Sequence, residues 1–398
     1  MDSKVSDLIK QVHDHPTQAV FYATGGGMQG ITWLLTVPGA SRTVVEARVP
    51  YAQSALQAAL KFPTESYATA GTAVDMAKAA YKQAAQLSEI GTSIIGIGCT
   101  CALMTDRVKK GDHKAFVAAH TGTTTHTYSL QLAKGQRDRL GEDAVASKLM
   151  LNALAAACGI PTGSHADIGL LPDSEHVQEE VIEMADPVKA LLEGKVQTVE
   201  FSNGNVVVDA PRSGRVYMAG SFNPLHDGHR GMLAAALKTR QAEQGPSEGC
   251  YEMSVGNADK GMLPIDEIKK RVQPFVDENL PIVLTQAPLY PDKAEIFRNS
   301  TFVLGYDTAV RLVMPKYYGG HDGMLLQLAS MSFAGCSVVV AGRAVTEDNG
   351  RSSFKTFEDV EVPEAISKLG LFTSIPEKLF RNDISSTQLR GNLAEQQS

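Results

Sequence analysis

The stretch from Arg215 to Leu237 constrains the fold of this chain more than any other. Its sequence, RVYMAGSFNPLHDGHRGMLAAAL, begins with an apolar run, passes through the turn-forming residues Gly220 to Pro224 and continues with apolar residues at helical spacing. This pattern predicts a strand, a loop and a helix. Gly228 and the glycine that opens the loop let a ligand approach the backbone, and the helix start offers N–H donors to an anion. We therefore predict a phosphate site here, with His226 and His229 on one face of the helix.

A second block near the other end of the chain has similar properties. Ser385 and Gln388 have the spacing of a capping box, so Ser385, Ser386 and Thr387 are expected at a helix start whose N–H groups face a phosphate. Arg390 follows Ser386 by four residues and shares its helix face, which suits a clamp on phosphate oxygens.

Together the two blocks resemble the HxGH nucleotidylyltransferases, and most closely the nicotinamide or nicotinate mononucleotide adenylyltransferases. The sequence GSFNP followed by HDGH at 220–229 is similar to the first signature of that family, and ISSTQLR at 384–390 is similar to the second. The resemblance implies transfer of AMP from ATP, with Mg²⁺, to nicotinamide or nicotinate mononucleotide, with release of pyrophosphate. It implies catalytic roles for three residues: His226, His229 and Arg390.

The resemblance also implies binding residues, and it assigns no protein ligand to a metal. The residues expected to bind the nucleotide are Gly220, Ser221, Phe222, Gly228, Asp307, Ser385, Ser386 and Thr387. Lys260, in the segment VGNADKG, is expected to meet the phosphate of the acceptor. The family commonly carries a tryptophan near its nicotinamide pocket, whereas this chain has none after Trp33. The identity of the acceptor is therefore open.

The first 160 residues or so resemble a different family. The segments TGG at 24–26, LTVPGAS at 35–41 and VPY at 49–51 are similar to the C-terminal domain of CinA, whose active members deamidate nicotinamide mononucleotide. Tyr22 stands where that family has its serine nucleophile, and Leu56 stands at its lysine position. Because a hydroxyl nucleophile needs a base beside it, we expect a catalytically degenerate domain that serves assembly or ligand sensing.

These observations predict an α/β protein of two domains. We expect a CinA-C-like α/β domain over residues 1–165, a connector with a β-hairpin over 166–213, and a Rossmann-like parallel-sheet nucleotidylyltransferase domain over 214–398. The dipeptide Asn203-Gly204 between two strand-like runs is the signal for the hairpin. Alternating strand and helix patterns after residue 215 indicate the parallel sheet, including strands at Thr301 to Gly305 and Ser337 to Ala341.

Composition narrows the range of partners. A net charge of -7 and a pI near 5.8 give no basic surface for nucleic acid or an anionic membrane. No apolar run reaches membrane-spanning length and the first residues do not form a targeting segment, so we expect a cytoplasmic protein, with an organellar location left open. Cys99 and Cys101 are spaced as a metal or redox pair could be, but the chain has no second pair of cysteines. A structural role is therefore expected for them. The expected partners are ATP, a phosphorylated nucleotide and further copies of the chain in a homo-oligomer, with the first domain as a candidate interface.

Two other functions fit the same residues. One is a nucleotidylyltransferase that acts on another phosphate ester or uses CTP. The other is a non-catalytic structural or regulatory subunit that retains nucleotide binding, which the replacements at Tyr22 and Leu56 favour.

Overall fold

Two sheets organise the chain in the computed structural model. It describes residues 1–64, 66–107, 110–162, 169–171, 174–245, 247–257, 261–346 and 352–381. The chain divides into two compact units. The first contains Met1–Pro187 and Asn205–Ala210, and the second contains Val188–Gly204 and Pro211–Ser398.

The first unit begins with alternating helices and strands and continues with an antiparallel meander. Its elements are α1 Ser3–Asp14, β1 Gln18–Thr24, α2 Met28–Thr36, α3 Ala40–Thr43, β2 Val44–Arg48, α4 Gln53–Leu60, α5 Ala70–Leu87, β3 Ile94–Ala102, β4 His113–His120, β5 Thr124–Leu132, α6 Arg139–Ala157 and β6 Val177–Glu183.

The sheet of the first unit is mixed, with the order β2-β1-β3-β4-β5-β6. Strands β2, β1 and β3 are parallel, and β3, β4, β5 and β6 follow one another in antiparallel fashion. Strands β1 and β3 are buried along nearly their whole length because both faces of the sheet are covered. Side chains of α5 form the core on one face, and those of α1, α2 and α6 form it on the other.

The second unit alternates strands and helices. Its elements are α7 Pro187–Leu192, β7 Thr198–Ser202, β9 Val216–Ala219, α8 Asp227–Gln244, β10 Gly249–Ser254, β11 Gly256–Asn257, β12 Gly261–Met262, α9 Ile265–Asp277, β13 Ile282–Thr285, α10 Tyr290–Ile296, β14 Thr301–Gly305, α11 Tyr306–Leu312, α12 His321–Phe333, β15 Ser337–Ala341, β16 Arg343–Thr346, β17 Ser352–Lys355, α13 Glu364–Ser367 and β18 Phe372–Ile375; β8, Asn205–Val208, lies between β7 and β9 in sequence.

The main sheet of the second unit is a doubly wound parallel sheet. Its order is β18-β15-β14-β9-β10-β13-β7, in which only β7 runs antiparallel to its neighbour. The six parallel strands follow the Rossmann order 3-2-1-4-5-6 when they are numbered along the chain. The order reverses between β9 and β14, and ligands of such sheets bind outside the carboxyl ends of the strands at this point. The predicted α/β fold class with a Rossmann-like sheet is confirmed.

The region from residue 166 to 213 contributes strands to both units. Strand β6 pairs with β5, and β7 pairs with β13. Asn203 and Gly204, between β7 and β8, have φ angles of 47° and 76°, as the predicted Asn-Gly hairpin turn requires. Within the described ranges, no helix is both long enough and apolar enough to cross a membrane.

Candidate active site

The loop between β9 and α8 is fixed by a buried aromatic ring. Phe222 is 2% exposed, has a φ of 42° and contacts the rings of Tyr251 and Phe275 edge-on, with centroids 5.5 and 5.1 Å away. Gly220 lies directly against this ring, since a Cβ there would come within 2.8 Å of it. The chain therefore needs glycine at 220 to close the loop over Phe222. Ser221 is exposed on the outer side of the loop.

The two histidines of the loop meet at the start of α8. His226 is the N-cap residue, and its backbone N–H donates to Nδ1 of His229, 3.3 Å away. The two imidazole rings stack, with centroids 3.7 Å apart and planes 25° apart, and Phe222 packs edge-on against His229. Because Nδ1 of His229 accepts a hydrogen bond, the neutral ring carries its proton on Nε2. The pair thus presents an imidazole N–H donor beside the positive end of a helix.

Burial disfavours the protonated form of both imidazoles. Burial lowers the pKa of His226. Burial, with smaller contributions from His226 and Arg230, lowers the pKa of His229 to about 4. An oxyanion placed against the rings would oppose this effect and raise both pKa values.

The arginines around the loop are engaged by carboxylates. Arg230 forms an ion pair with Asp227 at 3.0 Å, and its Nη2 donates to both carboxylate oxygens of Glu278 at 2.6 and 2.7 Å. Arg271 contacts Glu267 at 2.8 Å and donates to the backbone oxygen of Ser221 at 3.2 Å. These contacts orient the loop and the helix start, and the charges of both guanidinium groups are already balanced.

A buried ion pair lies behind the loop on β10. The backbone oxygen of Glu252 accepts from the N–H of Gly220 at 2.9 Å. Its carboxylate accepts from Lys293 Nζ at 2.7 Å and Thr285 Oγ1 at 2.6 Å, and the carboxylate and the ammonium group are both buried. These contacts connect β10, the strand that supports the loop, to β13 and α10. Sequence analysis missed this pair, although a glutamate inside the apolar run CYEMSV was a usable signal.

Asp307 lies at the carboxyl end of β14, the strand next to β9. Gly305 is the N-cap of α11, and Asp307 is in the first turn of that helix. Its side chain forms an ion pair with Arg343, the first residue of β16, and both side chains are about half exposed, at 51% and 47%. A Cβ at Gly305 would lie 3.8 Å from Met232 of α8. The fold therefore brings the loop after β9 and Asp307 to the same end of adjacent strands. Arg343 was not predicted, and its position two residues after a buried parallel strand is the signal that could have found it.

The segment after β18 returns to α8. A Cβ at Gly231 would lie 3.0 Å from Cε2 of Phe380, so this ring packs on the second turn of the helix. The guanidinium carbon of Arg381 lies 5.6 Å from the ring centroid of Phe354.

Five predicted site residues lie outside the described residues: Lys260, Ser385, Ser386, Thr387 and Arg390. The other predicted site residues lie at two positions in the second unit. Gly220, Ser221, Phe222, His226, Gly228 and His229 lie together in the β9–α8 segment, and Asp307 lies at the end of the adjacent strand. Phe222 is inside the core, and the contact with nucleotide expected of it stays a prediction. Within the described part of the chain, no group of three or more His, Cys, Asp or Glu side chains could hold a metal ion.

In the first unit, Tyr22 and Leu56 are packing residues. They are 2% and 1% exposed and belong to one hydrophobic cluster. Burial raises the pKa of the Tyr22 hydroxyl, which disfavours the ionised form that a nucleophile requires. The guanidinium group of Arg48 lies over the tyrosine ring, 5.5 Å from its centroid.

A carboxylate of the chain occupies the start of α2, just after the glycines at 25–27. Asp143 accepts from the backbone N–H groups of Met28 and Gln29 at 3.2 and 3.0 Å, and from the side chain of Gln29 at 3.2 Å. Two of the N–H groups that this helix start would offer to an anion are thus bonded to a side chain of the same unit.

Comparison with known proteins gives matches among solved structures alone. No protein-family model matches the chain, and no curated protein sequence matches it. The competence/damage-inducible protein CihA from Agrobacterium tumefaciens matches 39% of this chain and 96% of its own, with 16% identity and a TM-score of 0.32. CinA superfamily proteins from Escherichia coli and Enterobacter cloacae match 38% and 40% of this chain and 87% and 93% of their own, with 14% and 15% identity and TM-scores of 0.31 and 0.32.

Proposed function

We propose that the second unit is a nucleotidylyltransferase that transfers AMP from ATP to nicotinamide or nicotinate mononucleotide and releases pyrophosphate. The observation that carries this proposal is the stacked pair His226 and His229 at the N-terminus of α8. The pair follows the first strand of a Rossmann-ordered sheet, beside the point where the strand order reverses. The pyridine nucleotide as acceptor rests on the resemblance of both halves to families that act on it.

The reaction makes and breaks one bond at phosphorus. A phosphate oxygen of the acceptor attacks the α-phosphorus of ATP, the bond from that phosphorus to the bridging oxygen breaks, and pyrophosphate leaves with the bonding electrons. Negative charges must approach one another, so donors that are already in position supply most of the catalysis. Neutral imidazoles that donate N–H groups, together with the start of α8, fit this demand at the triphosphate.

The cations in this proposal come from outside the described residues. Arg230 and Arg271 are paired with carboxylates, so the proposal assigns charge neutralisation to Lys260 and Arg390. Mg²⁺ would arrive with ATP, because this ion is usually bound through substrate phosphates and water with few protein ligands. When bound, Mg²⁺ neutralises charge on the phosphates.

The course of the chain supports a role for the second block. Phe380 packs on α8 at Gly231, two residues after His229. The described chain thus reaches the helix that carries the histidine pair shortly before the second block, residues 384–390, begins in the sequence. The proposal therefore assigns phosphate contacts to Ser385 and Arg390.

For the first unit we propose a non-catalytic role in assembly or ligand sensing. Tyr22 and Leu56 are buried, and Asp143 fills the helix start that an anionic substrate would use. The full chain should therefore release no ammonia from nicotinamide mononucleotide.

Pyrophosphate release by the purified full chain tests the transferase. ATP and CTP would each be combined with nicotinamide mononucleotide, nicotinate mononucleotide and other phosphate esters. We expect release with ATP and a pyridine mononucleotide, and a decrease in kcat/KM of about 10² to 10³ in His226→Ala, as for loss of one transition-state donor. His321→Ala is the matched control, because His321 is an exposed histidine at the start of α12 in the same unit.

Each other outcome identifies a different function. Preference for CTP, or for another acceptor, would replace the proposed substrates while keeping the reaction type. Nucleotide binding without release for any substrate pair would indicate the non-catalytic subunit. Equal rates of pyrophosphate release by His226→Ala and His321→Ala would show that His226 takes no part in the reaction.

A further inference from the structure

An ion pair joins the loops that follow β14 and β15. Asp307 comes two residues after β14 and Arg343 two residues after β15, and the last residues of these parallel strands, Gly305 and Ala341, are paired with each other. The two side chains therefore meet at one edge of the sheet. β14 also pairs with β9, whose loop carries the histidine pair. The ion pair thus lies beside the point where the strand order reverses and a ligand is expected to bind.

The residues around Arg343 connect it to the start of α8. A Cβ at Gly342, the preceding residue, would lie 2.5 Å from the ring of Phe354, so β16 and β17 pack closely at their base. The guanidinium group of Arg381 lies over the same ring, and the residue before it packs on α8 at Gly231. A continuous series of contacts therefore joins the hairpin that begins at Arg343 to the helix turn that follows the histidine pair.

This ion pair is more exposed than the pairs that hold the β9–α8 loop. The side chains of Asp307 and Arg343 are 51% and 47% exposed. The side chain of Arg271 is 14% exposed and also donates to a backbone oxygen, and Arg230 donates to two carboxylates. An exposed ion pair changes an equilibrium constant by at most a factor of about five, so a ligand can separate Asp307 from Arg343 at low cost.

We propose that ATP separates this pair by an exchange of partners, an inference that rests on the transferase proposed above. The ribose hydroxyls of the nucleotide donate to the carboxylate of Asp307, and the released guanidinium group of Arg343 binds a phosphate group of the same nucleotide. Each side chain then has a partner of suitable chemistry, since a carboxylate accepts from hydroxyls and a guanidinium group donates two N–H groups to phosphate oxygens. Without nucleotide, the ion pair occupies both groups and holds the site closed.

The charge of the ligand favours the exchange. ATP brings several negative charges to the end of the sheet, and these attract Arg343 and repel Asp307, so both effects act to separate the pair. Arg343 thereby joins Lys260 and Arg390 as a cation that acts on the phosphates.

Calorimetric titration of the full chain tests the exchange without turnover. Adenosine has the ribose and no phosphate, so Arg343 competes with it for Asp307, whereas ATP uses both side chains. In Arg343→Gln we expect adenosine to bind about two- to fivefold more tightly, because its competitor is gone. We expect ATP to bind about tenfold more weakly, because a charged hydrogen-bond donor is lost. A residue that only supports the hairpin would shift both affinities in the same direction or neither.

A second variant and a matched control make the test independent of one substitution. Asp307→Asn should show the mirror image, with weaker binding of adenosine and tighter binding of inorganic tripolyphosphate, because Arg343 is already released. Arg298→Gln is the control, since Arg298 forms an exposed ion pair with Glu295 before the amino end of β14, at the opposite edge of the sheet. It should leave the affinities for adenosine, tripolyphosphate and ATP unchanged.

The exchange and the transferase can fail separately. The exchange is overturned if adenosine affinity does not rise in folded Arg343→Gln, if that variant keeps the wild-type kcat/KM for pyrophosphate release, or if the wild type binds neither adenosine nor ATP. Should Arg343→Gln fail to fold, unchanged tripolyphosphate affinity in Asp307→Asn would overturn it. Opposite shifts in a protein that releases no pyrophosphate with any substrate would support the exchange and refute the transfer reaction.

Discussion

His226 and His229 are joined by a hydrogen bond from the backbone of one to the ring of the other. The N–H of His226 donates to Nδ1 of His229 across 3.3 Å. One nitrogen of His229 is thus used to fix the entry of α8, and the other is left as an N–H donor. The structural and chemical roles of this residue can therefore be separated by substitution.

Replacing His229 by asparagine should remove the chemistry and keep the helix cap. The amide oxygen of asparagine can take the place of Nδ1 as acceptor, while nothing replaces Nε2–H. We expect His229→Asn to unfold at the wild-type temperature and to lose about 10² to 10³ in kcat/KM in the pyrophosphate assay. His229→Ala should lose activity to the same extent and about 1 kcal/mol of stability as well. Equal stability of the two variants would show that the hydrogen bond contributes nothing.

Acid should destabilise the protein through the same histidine. The pKa of His229 is about 4 in the folded chain and 6.5 for an ordinary histidine, so the unfolded state binds more protons between these values. The free energy of unfolding should therefore fall as pH drops from 6.5 towards 4. Burial also lowers the pKa of His13 and His120, so the comparison is with His229→Asn, whose stability should fall less steeply. Urea unfolding between pH 7 and 4.5 measures both slopes, and parallel slopes would contradict the prediction.

A methyl group at Gly220 should disturb the loop. It would meet the ring of Phe222 at 2.8 Å, and that ring is held between Tyr251 and Phe275. We expect Gly220→Ala to cost about 1 to 3 kcal/mol, as for overpacking in a core, and to lower activity by displacing the histidines. Gly71→Ala is the control, because the nearest atom to its Cβ is 3.9 Å away and alanine favours helix α5. If Gly220→Ala has the same free energy of unfolding as the wild type in denaturant, the ring of Phe222 can move aside without cost.

The buried pair of Glu252 and Lys293 should show strong coupling. Lys293→Met leaves the carboxylate without its cation inside the core, and we expect a loss of about 3 to 5 kcal/mol. The double variant Glu252→Gln/Lys293→Met removes both charges and should recover most of that loss. A double-mutant cycle by urea unfolding measures the coupling energy. Additive effects of the two changes would show that the ion pair is not a unit.

Sequence patterns predicted the parts of this fold that are buried on both sides. β14 and β15 have the bounds expected for them, Thr301 to Gly305 and Ser337 to Ala341, because fully buried strands are continuous apolar runs. Strand β6, VQEEVIE, was not predicted, since it is held at a sheet edge by pairing with β5 and is exposed almost throughout. β18 has four residues and little apolar signal, and it was also missed.

The positions of the candidate site residues were easier to predict than their contacts. His226 and His229 were expected at a helix start and lie at the start of α8, and Asp307, which was taken from a family resemblance, lies in the first turn of α11. The pairing of Asp307 with Arg343 depends on which strands become neighbours, and local sequence does not contain that information. The inward position of Phe222 depends on Tyr251 and Phe275, which come from elements that follow later in the chain.

The path of the chain between the two units limits how this protein can be dissected. The chain passes from one unit to the other three times, after Pro187, after Gly204 and after Ala210. Ala210 and Val207 pack in the hydrophobic cluster of the first unit, and the side chain of Asn205 donates to the backbone oxygen of Gly91 at 2.6 Å. A fragment that stops before residue 205 would lack this inserted piece, and a single protease cut between 188 and 204 would leave neither product with a complete unit. Separate expression of the halves would therefore require a circularly permuted or spliced gene.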